Sequence, residues 1–119
     1  MPIRVMIAGL PRVLRDILEA VIARQDDITL VGVAGDDDLL EVMRSVRPDA
    51  VILRQDASPL PDLGRRILRQ DNDVKVFGVA EDGRRTFLYE VKIETTPVGE
   101  VSPEELLDAL RHAVTAGAN

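Results

Sequence analysis

Three adjacent carboxylates, Asp36-Asp37-Asp38, form the densest group of potential metal ligands in the chain. A hard cation such as magnesium takes carboxylate oxygens, but neighbouring residues on a helix do not face one point. These three precede the apolar positions Leu39, Leu40, Val42, Met43 and Val46, so they read as a helix start, where acidic side chains cap free N–H groups and meet the positive end of the helix dipole. Arg65, Arg66 and Arg69 make one basic patch and Arg84 and Arg85 another. With a formal net charge of −6, both read as solvated faces rather than phosphate sites, and direct nucleic-acid binding is not expected. His112, the only histidine, falls off the apolar stripe of its helix and lacks the partner that a general base needs. Gly9 and Gly78 are too isolated for a phosphate-cradling loop. Cysteine is absent, which removes thiol nucleophiles, thiolate metal sites and disulfides. The expectation is a non-enzyme with no catalytic residue, no metal and no cofactor.

The elements around these residues alternate between strand and helix signals, the pattern of an α/β sandwich with a mostly parallel sheet. Ile3 to Ala8 and Val51 to Leu53 are apolar runs suited to strands covered on both faces. Pro11 suits a helix start, and Leu14, Ile17, Leu18, Val21 and Ile22 follow at three- and four-residue spacing. Asp62 precedes Leu63, Ile67 and Leu68 of a third helix. Ser102, Pro103 and Glu105 form a capping box for a last helix whose apolar stripe is Leu106, Leu107, Leu110 and Val114.

With 119 residues, 45% hydrophobic and 30% charged, the chain is expected to be one domain, 1–119, of ordinary soluble composition. No apolar run approaches the roughly 20 residues of a membrane span, and the N-terminus lacks the layout of a signal peptide. A cytoplasmic location without membrane contact is the expectation.

Taken together, Ile3 to Ala8, Asp27 to Ala34, Arg47 to Leu53 and the Val101 to Leu107 helix start resemble the receiver domain of two-component response regulators, most closely the receivers that precede helix-turn-helix output domains. The resemblance covers nearly the whole chain and weakens between about Glu81 and Gly99. It implies a flavodoxin-like three-layer α/β sandwich with sheet order 2-1-3-4-5. It also implies five active-site positions: an acid pair holding magnesium, a phosphoacceptor aspartate, a Ser or Thr, and a Lys. Carried onto this chain, the acid pair falls on Gly9 and Leu10, the acceptor on Arg54, the hydroxyl on Ala80 and the lysine on Gly99. None is retained. Phosphoryl transfer is mostly positioning and charge neutralisation, and an acyl phosphate cannot form on a guanidinium. Arg54 is expected to fill the vacant metal pocket and pair with Asp56, Glu81 or Glu100.

The segment after the fourth strand, Lys75 to Val79, departs from the receiver pattern. Phe87, Tyr89, Val91 and Ile93 alternate with Leu88, Glu90, Lys92 and Glu94, and Thr95 and Thr96 extend the run. That is the period of a half-buried strand. Glu81 to Arg85 is too short for a parallel crossover, and Asp82-Gly83 is a tight-turn pair, so this strand is expected to run antiparallel at the sheet edge in place of the fourth helix and fifth strand. A degenerate helix from about Arg84 to Glu90 with a short parallel strand after it is the alternative. An open edge offers unpaired N–H and C=O groups to another chain. The leading functional expectation is therefore a phosphorylation-independent receiver-like domain in signal transduction, binding a protein partner or itself, most simply as a homodimer through Phe87 to Thr96. The alternatives are a response regulator that takes phosphate on an unconventional carboxylate, Asp56, and a small anion-binding module at Arg54.

Overall fold

The computed structural model describes residues 2–55, 62–80 and 84–117. In chain order these build β1 (Ile3–Ala8), α1 (Arg12–Ala23), β2 (Ile28–Ala34), α2 (Leu39–Val46), β3 (Ala50–Arg54), α3 (Asp62–Gln70), β4 (Lys75–Val79), β5 (Thr86–Tyr89) and α4 (Pro103–Gly117). The strands form one sheet of order β2-β1-β3-β4-β5. β1 to β4 run parallel and β5 runs antiparallel to β4. This is the flavodoxin-like arrangement with an antiparallel edge, and the antiparallel strand rather than the degenerate helix occupies the remodelled segment.

Strand alternation distributes the apolar side chains to two cores, as expected when helices cover both faces of a parallel sheet. Met6, Ala8, Val51, Leu53 and Val76 meet Leu39 and Met43 of α2 and Ile67 of α3 on one face. Val5, Ile7 and Ala50 meet Leu10 and Ile22 on the other, where Leu14 and Leu18 of α1 and Ile52 and Phe77 of the sheet join them. α2 ends at Arg47, whose left-handed φ of 47° turns the chain. The Arg4 guanidinium donates to the freed carbonyls of Val46 and Arg47, and the Arg4 N–H donates to Asp49 Oδ2 at 2.8 Å. That junction sets β3 beside β1.

β5 is shorter than its alternating sequence predicts. Its ladder pairs Val79 with Thr86 and Val76 with Tyr89, and Lys75 is the first residue of β4. Beyond Glu90 the partner strand has run out into the turn after α3, so Val91, Ile93, Thr95 and Thr96 have no ladder to join. Residues 90–102 are without regular structure, and 91–101 are exposed throughout.

The last helix also departs from a closed sandwich. Its capping box forms as the sequence predicts: the Glu105 N–H donates to Ser102 Oγ at 3.2 Å and the Ser102 N–H to Glu105 Oε1 at 3.3 Å. Yet Leu106, Leu107, Leu110 and Val114 are 50–66% exposed. The molecule measures 59 × 33 × 25 Å with a Cα radius of gyration of 18.5 Å, against about 13–14 Å for a compact chain of this length. α4 stands off the sheet on the 90–102 arm. No helix among the described residues is long and apolar enough to cross a membrane.

Candidate functional site

Ligands of open α/β sheets bind at the carboxyl ends of the parallel strands, and four of the five receiver positions gather there. Gly9 follows β1 in a left-handed conformation with φ 63°, its N–H donating to the Ala34 carbonyl at 3.3 Å. Leu10 turns inward and is buried with Val5, Ile7 and Ile22. Arg54 closes β3 and is exposed, and Ala80 follows β4 and is buried. The Ala80 N–H donates to the Arg85 carbonyl at 2.9 Å, which opens the β4–β5 hairpin. Gly99 does not join them. It lies on the exposed arm with φ 74°, and a Cβ built there would meet open space.

The side chains at this end therefore supply little for phosphoryl chemistry. Gly9 and Ala80 have no side-chain oxygen, and Leu10 is committed to the core. The nearest carboxylate to Gly9 is Asp36, whose Oδ1 would lie 2.5 Å from a Cβ at that position. Asp38 holds the N-cap position of α2 but makes no side-chain capping bond, so the acidic triplet opens the helix without the hydrogen-bonded cap that its sequence suggests. Among the described residues, no three His, Asp or Glu side chains converge as a metal site. Arg54, expected to fill the vacant metal pocket, ends β3 with its side chain exposed. Of its three expected partners, Asp56 and Glu81 lie outside the described residues, and Glu100 is exposed on the arm.

Beneath this surface lies a polar contact that sequence reasoning missed. Gln55, directly after Arg54, is 1% exposed and is the one buried polar side chain among the described residues. Its Nε2 donates to the Tyr89 hydroxyl at 2.6 Å, while its Oε1 has no hydrogen-bond partner. The amide crosses Gly78, where a Cβ would fall 2.1 Å from Oε1. The isolated glycine within a strand was the available signal, because such a residue marks a close approach by another group.

The expected interaction residues divide into two sets. Phe87 and Tyr89 are half-buried, their ring centroids 6.4 Å apart, and Tyr89 packs against the α2–α3 core. Glu90 sits at the root of the arm, 3.3 Å from Lys75 Nζ and 3.0 Å from Lys92 Nζ. Hydrogen bonds from Lys92 and then Lys75 hold its carboxyl below the usual carboxylate range. Lys92 is thus engaged with its own chain's glutamate, and it lies beyond the strand. Val91, Ile93 and Glu94 are exposed, Ile93 almost completely at 96%. Antiparallel alternation from the Ala80–Arg85 bond leaves the backbone groups of Thr86 and Leu88 aimed outward, so the open edge is two residues deep rather than ten. Edge strands this short are themselves a guard against indiscriminate pairing.

Comparison with known proteins finds no matching family model and no matching curated relative.

Proposed function

We propose that this chain is a receiver-like domain that works without phosphorylation, as a protein-interaction or dimerisation module in signal transduction. The observation that carries the reading is the carboxyl end of the sheet. The topology gathers Gly9, Leu10, Arg54 and Ala80 where a receiver needs oxygens and a metal, and one of these is a left-handed glycine while two are core residues. A site with a buried leucine in place of a metal ligand cannot be restored by a small side-chain movement. The rebuilt region, from β5 through the arm, carries the exposed apolar residues Leu88, Val91 and Ile93, which gives an interaction role its material.

Incubation with magnesium and acetyl phosphate or beryllium fluoride tests the reading by intact mass and by NMR. The expected result is no added phosphate and no shift of the amide spectrum. A phosphorylated species that disappears in Asp56→Asn would overturn the proposal in favour of an unconventional acceptor.

A further inference from the structure

α1 carries more apolar surface than the sheet covers. Leu14, Leu18 and Ile22 face the core, while Val13, Ile17 and Val21 are 73%, 55% and 45% exposed. At 100° per residue this second row, at i, i+4 and i+8, adjoins the first on one side. Glu19 and Ala23 adjoin it on the other side and line a groove with Ile28, Thr29 and Leu30 of β2. The exposed row therefore looks away from β2, along the sheet toward β3, β4 and β5. There it overlooks Ile52 and the cross-strand pair Phe77–Leu88, of which Leu88 is 50% exposed. A wall of three aliphatic side chains and an aliphatic and aromatic floor make a shelf that no described element covers.

The complementary object is α4. Leu106, Leu110 and Val114 repeat the same i, i+4, i+8 spacing with Leu107 beside them, so each row spans about 12 Å along its helix and the two can interlock as ridges in grooves. Each chain has one uncovered shelf and one uncovered stripe, and the arm of residues 90–102 keeps them apart. The arm is rooted at the sheet edge by the Lys75–Glu90–Lys92 cluster and can reach up to about 40 Å when extended.

We propose that α4 of each chain seats on the shelf of a second copy, so that two chains exchange their last helices. The inference rests on the reading of this domain as an interaction module and names the partner. A two-fold pair closes on itself because shelf and stripe are each used once per chain. The 90–102 arm, which takes up the second half of the Phe87–Thr96 segment, is then the crossing connection of the dimer rather than a ladder of strand hydrogen bonds.

The experiment uses light scattering on the full chain and on two variants, Ile17→Lys in the shelf and Leu110→Glu in the stripe. Both positions are exposed in the single chain, and circular dichroism verifies that both variants fold. The unmodified chain is expected to have the mass of two chains at micromolar concentration, and each variant alone the mass of one. The variants refolded together should regain the two-chain mass, because one seat in the mixed pair is unmodified and the other sets a lysine against a glutamate. A monomeric unmodified chain overturns the exchange. So does a dimer that Leu110→Glu leaves intact, which would place the contact at β5, and so does a mixture that stays monomeric beside a dimeric parent, which would mean that stripe and shelf do not seat on each other. None of these outcomes touches the phosphodonor result, so the exchange and the phosphorylation-independent reading fail separately.

Discussion

Gln55, directly after β3, and Tyr89 of β5 are hydrogen-bonded at 2.6 Å although β3 and β5 are not neighbours in the sheet. The bond passes over β4 at Gly78, the one place where the intervening strand has no side chain to block it. It ties the antiparallel hairpin, and through it the root of the arm, to the parallel part of the sheet.

Removing the hydroxyl tests that tie. In Tyr89→Phe the Gln55 amide keeps its burial and loses its partner, and leaving a buried polar group unsatisfied costs about 1–3 kcal/mol. Urea denaturation should show a loss on that scale. Because replacing both partners by apolar groups can be nearly neutral, Tyr89→Phe combined with Gln55→Leu should recover most of it. A double variant as unstable as the sum of the singles would show that the bond is incidental.

Gly78→Ala should be destabilising for a reason unrelated to backbone freedom. The new Cβ would fall 2.1 Å from Gln55 Oε1 and 3.0 Å from Gln55 Cβ, so the amide must leave its seat, at an overpacking cost of about 1–3 kcal/mol. Truncating the obstacle in Gln55→Ala should make the glycine substitution much cheaper than in the parent. Additive costs in that double-mutant cycle would refute the contact.

The root of the arm has a pH dependence with a defined sign. Lys92, then Lys75, hold Glu90 ionised below the usual carboxylate range. A carboxyl with a depressed folded pKa contributes stability that is present above its unfolded pKa and is lost as pH falls through the folded pKa. The Glu90 carboxyl resonance should therefore titrate below the usual carboxylate range. Lys92→Ala should move the Glu90 midpoint upward, and an unmoved midpoint would leave Lys75 alone as the cause.

Much of the fold was legible because the decisive signals are local. Apolar runs from Ile3 and Val51 meet the need of strands covered on both faces, Ser102 and Glu105 form the box their spacing implies, and the short Glu81–Arg85 connection demanded the antiparallel β5. The end of β5 was not legible, because alternation shows what a chain could pair and not where the partner strand stops. Gln55 escaped notice for a related reason: its burial depends on Gly78 and Tyr89, distant in sequence. Arg54 is exposed between buried Leu53 and buried Gln55, because strand alternation sends it to the opposite face from both. The stripe of α4 was read correctly as apolar, but a stripe specifies that something must cover it and not from which direction.

The detached position of α4 divides the cooperative structure of a single chain. The sheet with α1 to α3 owns both hydrophobic clusters, so it can melt as one unit, whereas α4 relies on its cap and on helix propensity, which are marginal for fifteen residues in water. Amide protons of α4 in an isolated chain then exchange by local opening while those of β1 and β3 wait for global unfolding. If two copies exchange α4 as proposed, mass action links the two units, and dilution should loosen the helix first and leave the sheet intact.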